Sequence, residues 1–440
     1  MSAIRDERSK ENPYNRDFWL AYFANTALII CVSSLFRYAD FIAYLGGGPY
    51  QLGLITGCGM TGGLLGRFLQ GNWIDRLGPR TVWLGSLLTL GLFLILNLTV
   101  QRLDSVWIYL LRIGMMISLA GAFGASLTSV SLKSPPGRTA EMVGVLGSSG
   151  FIGMAIGPVI GDWIFRTSVV SFVQIQAMFL LAASMVGVSM VLAYLATRRD
   201  LRAPHHEHPA MWRLVREYHP GWLLIIGIAM GAGVLLPQVF VRSFADSLQI
   251  NQIRYFFLAY AISAFSIRVA TRRFTDRFGV KRTVILGMAC LVASMLAYLP
   301  VSAAWMLPLP AIFGGAAHAF LFPAVVAGGA TAFPRRNRGT GTNLMLASLD
   351  FGSLVGFPIE GAIVAQAELQ GWPGYPTMFV TLAVTFALAT LLYAALGKKE
   401  IGEEHSELAN AGDASKPETP TSQSTPIERD QADREATSCR

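Results

Sequence analysis

The sequence predicts an all-α integral membrane protein whose twelve transmembrane helices form two pseudo-symmetric six-helix bundles. Three observations lead there. Apolar residues make up 53% of the 440 positions and charged ones only 14%, too few to cover the surface of a water-soluble chain of this size. The charges gather at the two ends, in 1–17 and 397–440, and in short clusters between long apolar stretches. The second half of the chain also repeats features of the first at a nearly constant offset.

A helix needs about 20 mostly apolar residues to cross the hydrocarbon core, where no open structure other than a helix satisfies its backbone. Segments of that kind cover 18–44, 49–70, 81–100, 105–131, 140–164, 170–195, 220–245, 252–271, 283–300, 304–330, 340–364 and 374–396. The longest imply tilt or protrusion rather than extra spans. The resulting organisation is an N-terminal tail (1–17), a first bundle (18–196), a basic central loop (197–219), a second bundle (220–396) and a polar tail (397–440) whose composition predicts disorder. Residues 1–17 mix acids with bases, and the apolar run after them exceeds a signal-peptide core, so no cleavable signal is expected.

Orientation follows from the basic residues. With the N-terminus in the cytoplasm, only Arg37, Arg102, Arg166, Arg242 and Arg254 fall on the opposite side, and Arg67, Arg112 and Arg268 fall within spans. Both termini are then cytoplasmic, and a plasma (inner) membrane location is expected. The formal charge of +8 is spread over separate clusters, which argues against nucleic acid. The four cysteines lie far apart, so neither a disulfide framework nor a metal site is indicated. His205, His206 and His208 sit in the polar central loop, where a solvated segment is the better reading and metal binding the alternative. No G-x4-G-K-[ST] loop occurs, so ATP-driven transport by this chain is not expected; no cofactor is expected either, and the chain reads as no enzyme.

The repeat is carried by three pairs. Gly71-Asn-Trp-Ile-Asp75-Arg76-Leu-Gly78-Pro-Arg80 follows the second span; Asp276-Arg277-Phe-Gly279-Val-Lys281 follows the eighth, with Arg272 where the first copy has glycine. Arg67 and Arg268 keep the same offset of 201 positions. Gly153, Gly157 and Gly161 in span five match Gly352, Gly356 and Gly361 in span eleven, and Arg37/Asp40 in span one match Arg242/Asp246 after span seven. A tandem duplication of six spans accounts for all three.

Twelve spans, a central cytoplasmic loop and the Gly71–Arg80 pattern resemble the major facilitator superfamily of secondary transporters. The likeness extends over residues 18 to 396. Arg112-Ile-Gly114 in span four resembles the arginine motif of proton-coupled members, and Gly153, Gly157, Pro158 and Gly161 in span five resemble the glycine–proline motif of exporting antiporters. The resemblance implies alternating access, with spans 1, 4, 7 and 10 lining a central cavity and spans 2, 5, 8 and 11 forming the interface between halves. Proton-coupled export of a small molecule by antiport is then the expected activity, with proton-driven uptake or a non-transporting sensor as alternatives. Protons, a small-molecule substrate and the lipid bilayer are the expected partners, and the chain reads as a monomer.

The residues themselves support specific roles. Asp75 and Arg76, at the cytoplasmic end of span two, and their copies Asp276 and Arg277, suit an inner gate that pairs with a basic residue or a helix N-terminus; Gly71, Gly78, Arg80, Gly279 and Lys281 complete the motif. Charges inside a bilayer are costly, so each is a functional candidate. Asp350 suits a proton carrier or a static pair with Arg67, and the two combine if protonating Asp350 releases Arg67. Arg112 either faces the cavity or snorkels outward. Arg37, Asp40, Arg242 and Asp246 are candidates for an outer gate or ordinary interface residues. Asn25, Gln238 and His318 are candidate cavity groups, and Glu360 reads as facing water. The run Gly57-Cys58-Gly59-Met60-Thr61-Gly62 reads as a close-packing surface.

Overall fold

A computed structural model of the chain describes residues 14–135, 138–167, 169–198, 218, 220–271, 274–334 and 338–397, with the backbone alone at 71–72, 139–140, 274–277 and 339. The tail 397–440 beyond its first residue, residues 1–13 of the N-terminal tail and most of the central loop with its three histidines therefore lie outside the described residues. The helices are α1 (Arg16–Tyr44), α2 (Pro49–Leu77), α3 (Pro79–Leu96), α4 (Val106–Lys133), α5 (Thr139–Ile164), α6 (Phe172–Thr197), α7 (Trp222–Ser247), α8 (Arg254–Ala270), α9 (Phe274–Ala297), α10 (Pro308–Thr331), α11 (Arg338–Leu369) and α12 (Gly374–Leu396). Among the described residues, 11 helices are long and apolar enough to cross a membrane. The remaining one is α8, whose 17 residues stand at the lower limit for a crossing.

Helix ends follow local chemistry. The Asn15 side chain accepts a hydrogen bond from the Phe18 N–H at 3.0 Å and opens α1. Ser105 does the same for α4, and Ser171 with Gln174 forms a reciprocal cap on α6. α2 runs past the expected end at 70 and stops at Gly78, whose φ of 80° and ψ of 153° suit glycine alone. Gly279 adopts φ 80° and ψ 162° at the equivalent kink near the start of α9. The Gly78→Ala variant is therefore expected to lose about 1–3 kcal/mol of stability, read as a lower thermal unfolding temperature of the purified protein. An unchanged temperature would mean that the turn does not hold this conformation.

The same pairings recur in both halves. The first helix packs on the fifth, the second on the fourth, and the third on both the fourth and the sixth, in α1–α6 and again in α7–α12. This is the packing that a duplicated six-helix unit requires. α1 and α7 are the most enclosed, with 61% of each apolar window buried, and α12 the least, with 28%. Leu388, Leu391 and Leu392 on α12 and Leu88, Leu92 and Ile95 on α3 are exposed, as helices facing lipid demand.

The halves meet chiefly along α2–α11 and α5–α8, as the resemblance implied. The α2–α11 seam is close because it is built on glycine. A Cβ at Gly53 would lie 2.1 Å from the Phe357 carbonyl oxygen, and one at Gly57 would lie 2.5 Å from the Pro358 ring. The glycine run of α2 is therefore a packing surface, on α11 through Gly57 and on the α4 backbone through Gly62.

Candidate functional site

The halves are tied together at one end of the bundle by a buried charge cluster. α1 is broken by a 3-10 turn at Leu35–Arg37, and the Arg37 side chain at its end is buried. Its guanidinium donates to Asp40 Oδ2 at 2.9 Å and to Asp162 Oδ1 at 2.7 Å from Nη2, and lies over the Phe165 ring. It also donates to the Asn251 carbonyl of the other half. From that half, Arg242 donates from Nε to both Asp40 oxygens at 2.8 and 3.0 Å, and Nη2 lies 3.1 Å from Asp246. Asp162 accepts in turn from the Ile253 and Arg254 N–H groups at 3.3 and 2.9 Å. Its carboxylate thus sits on the positive end of the α8 dipole.

Arg37, Asp40, Asp162 and Arg242 are all buried, at 1, 4, 6 and 4% exposure. Two cations face two carboxylates, so the buried set is neutral, and each partner holds more than one hydrogen bond, as such burial requires. The exposed Asp246 is peripheral. Arg37, Asp40, Arg242 and Asp246 therefore do come together, as the sequence suggested. Asp162, one residue beyond the glycine series of α5, was missed.

Inward from this cluster lies a cavity of about 340 Å³ between the halves. Its wall is mainly apolar, with Phe36, Met60, Met115, Met116, Phe123 and Met154 prominent, and its charged groups are Arg67, Arg112 and Asp350. Arg67 on α2 grips Asp350 on α11 in a bidentate pair, Nε to Oδ2 and Nη2 to Oδ1, the latter at 3.2 Å. The carboxylate is nearly enclosed, whereas Arg67 keeps 25% of its side chain exposed. Arg112 is different. It faces the cavity rather than the membrane surface, over the Tyr38 ring at 4.5 Å. Its Nε and Nη1 are shut off from solvent and have no hydrogen-bond partner.

The second half does not copy this arrangement. Arg268 stands where Arg67 does, but the residue matching Asp350 is Phe151. Arg268 lies over the Phe151 ring at 5.8 Å and the Phe322 ring at 5.3 Å. A cation–π contact replaces an ion pair, so the Asp350 carboxylate has no counterpart at the other seam. The repeat offset alone could have pointed to Phe151.

Other expectations need correction. α10 contributes nothing to this cavity, whereas α2 and α11 do, because the α2–α11 seam forms one wall. Of the three neutral candidates, Gln238 lines the cavity. Asn25 is buried and donates to Ser149 Oγ on α5 at 2.8 Å. His318 bonds the Tyr260 hydroxyl at 3.0 Å through Nδ1 and packs on Phe151 and Phe322, away from the cavity. Glu360 does not face water: it is fully buried and neither carboxyl oxygen has a hydrogen-bond partner.

The motif residues divide into two kinds. Arg80 donates from Nη1 to the Arg198 carbonyl at 3.4 Å, at the end of α6. Lys281 donates to the Gly397 carbonyl at 2.6 Å, at the end of α12. In each half the last basic residue of the motif therefore meets the C-terminus of the sixth helix, where a cation is favoured. These two serve their own bundle and do not bridge the halves. Asp75 and Arg76 lie in the last turns of α2, Asp75 partly buried and Arg76 exposed; Gly71 lies in α2 with its backbone alone described, and the Asp276 and Arg277 side chains lie outside the described residues. In α5, a Cβ at Gly153 would lie 2.6 Å from Ile29 and one at Gly157 would lie 2.0 Å from Ser33 Oγ, while Gly161 faces Arg37. Pro158 lies within the helix. Ser33 Oγ donates to the Gly153 carbonyl at 2.8 Å, and Ser353 Oγ to the Gly231 carbonyl at 2.9 Å in the other half. A serine–glycine bond thus joins the first and fifth helices of each half, with its donor on α1 in one and on α11 in the other.

Comparison with known proteins agrees with this architecture. The sequence matches the profile of the Major Facilitator Superfamily over residues 18–271 and 251–426. It is 25% identical over 372 residues to YhhS of Escherichia coli strain K12, described as an uncharacterised MFS-type transporter, covering 81% of this chain and 85% of that one. Among solved structures, the nucleoside transporter NupG superposes with a TM-score of 0.72 at 14% identity, covering 88% of this chain and 100% of that one. A D-xylose–proton symporter superposes with a TM-score of 0.70 at 13% identity, covering 87% and 98%. At these identities the likeness is one of fold.

Proposed function

Since this chain belongs to the Major Facilitator Superfamily and is a multi-pass membrane transporter, we propose that it moves a small organic compound by alternating access, driven by protons through Asp350. The observation that carries this reading is the Arg67–Asp350 pair, which joins the two halves at the wall of the cavity between them. Protonating Asp350 removes one charge of the pair and releases Arg67, so proton binding, the charge of the cavity and the seam between the halves are linked. The buried Arg37 cluster is the outer gate, closed here, and the Asp75 and Asp276 ends form the inner one. The chain works as a monomer in the plasma (inner) membrane with both termini cytoplasmic.

Direction is tied to the charge of the cargo. A proton on Asp350 adds one positive charge to the cavity, which opposes a cationic cargo and favours an anionic one. The first case gives exchange of proton for cargo, the second gives movement of both together. Antiport is what the α5 pattern implies by resemblance, but its glycines are occupied in packing on α1, and α11 uses the same device. The unpaired Arg112 on the cavity wall favours proton-driven uptake.

The test uses proteoliposomes at neutral interior pH with an enclosed pH dye, wild type beside Asp350→Asn. Labelled sugars, nucleosides, amino acids, organic acids and amines are added outside. The solute that enters should acidify the interior if proton and cargo travel together, and make it alkaline if they exchange. A solute that enters with no pH change in the wild type removes proton coupling.

A further inference from the structure

The charge balance of the cavity allows the cargo to be described more closely, on the reading of this cavity as the transport site. We infer that it binds a small monoanion with an apolar body, a monocarboxylate, with the carboxylate on Arg112. Three observations carry this. Of the three charged groups lining the cavity, Arg67 and Asp350 neutralise each other, so Arg112 leaves one net positive charge. That charge is not satisfied within the protein: Nε and Nη1 are enclosed without acceptors, and the contact that the guanidinium does make is with the Tyr38 ring. A guanidinium with unfilled donors is a fork for a planar carboxylate, and the site forms when the head turns its enclosed Nε and Nη1 edge into the cavity. Third, the walls beyond Arg112 are thioether and aromatic, from Met60, Met115, Met116, Met154, Phe36 and Phe123. They match a compact apolar body, with Thr56 and Gln238 as the neutral polar side chains of the lining.

The position of Arg112 is built rather than incidental. Its stem passes over Gly59 of α2, where a Cβ would lie 2.5 Å from Arg112 Cγ. Glycine at this point lets the side chain run along α2 and present its head to the cavity. Gly59 is thus a positioning residue, and its replacement should displace the guanidinium without removing it.

Binding to purified protein in neutral phosphatidylcholine nanodiscs tests the inference independently of transport. The probes are benzoate and hexanoate, with benzamide and benzylamine as isosteric neutral and cationic controls. Both carboxylates are expected to bind the wild type ten- to hundredfold more tightly than the controls, the gain of a charge-assisted hydrogen bond. Arg112→Gln should lose that margin, Arg112→Lys should recover part of it, and Gly59→Ala should weaken carboxylates alone. Thermal unfolding of each variant verifies that it is folded. Binding of benzylamine or benzamide as tight as benzoate, or benzoate binding that survives Arg112→Gln, overturns the assignment. So does a failure of both carboxylates to bind a folded wild type, even if another compound proves to be carried with protons and the transport reading stands. Repeating the assay with phosphatidylglycerol present separates sources of the anion: if that lipid displaces benzoate, the site belongs to a lipid headgroup and the small-cargo assignment falls.

Discussion

Arg67→Ala is expected to lower the stability of the protein by about 3 kcal/mol, and a second change, Asp350→Ala, to restore most of it. Removing one member of a buried ion pair strands the other, at a typical cost of about 3–5 kcal/mol. The lower end applies because Arg67 keeps 25% of its side chain exposed to the cavity, where water can partly compensate. The double variant leaves no stranded charge, so the non-additivity should be of the same order. Thermal unfolding of the purified single and double variants measures it. Additive losses would mean that the two side chains do not depend on one another. Transport gives the complementary reading: a double variant that regains stability but not proton-driven accumulation separates the pair's structural role from its coupling role, whereas full recovery of accumulation would leave the pair structural.

The second large effect is expected at the buried cluster. Asp162→Asn removes the carboxylate that Arg37 holds at 2.7 Å and weakens the cap on the Ile253 and Arg254 N–H groups. Arg37 is then left with Asp40 as its carboxylate partner, shared with Arg242. The buried set changes from neutral to a net positive charge at the point where the halves meet. A loss of about 3–5 kcal/mol from the closed arrangement corresponds to a shift of more than a hundredfold between closed and open populations. Spin labels at Tyr44→Cys and Ser247→Cys, at this end of α1 and α7, would report a longer distance in the Asp162→Asn background. If the distance distribution matches that of the labelled parent, the cluster does not hold this end shut.

Much of the architecture was legible because membrane helices announce themselves by length and the repeat announces itself by offset. The Arg67–Asp350 pair was legible for a different reason. A charge inside a bilayer must find a partner, and the candidates in this chain are few. Arg37, Asp40 and Arg242 were marked instead by the repeat, as matching Arg–Asp pairs at the outer ends of the first and seventh spans. Asp162 escaped because it has no copy in the repeat and its contacts to the other half are with the backbone N–H groups of residues 253 and 254, an acceptor site that no side-chain pattern marks; its partner Arg37 had been matched with Asp40 alone. Glu360 misled because the end of a span reads as wet, whereas α11 continues to Leu369 and holds Glu360 inside. Arg80 and Lys281 were read as gate residues from the motif they belong to. Their true partners are carbonyls at helix ends, which have no signature beyond a cation at the right distance along the chain. The cavity wall could not be assigned from helix number alone. Which of α2, α10 and α11 reaches it depends on how closely the glycines of α2 let α11 approach.

The central claim is that Asp350 takes up and releases a proton in the transport cycle, and the most direct test compares two activities of one variant. Asp350→Asn keeps the shape of the side chain and can still hydrogen-bond Arg67, but it carries no exchangeable acid. In proteoliposomes loaded with the cargo, it should exchange labelled for unlabelled cargo at near the wild-type rate, while failing to accumulate cargo against its gradient when a proton gradient is imposed. Accumulation at the wild-type level would contradict the account outright, because the proton would then pass elsewhere.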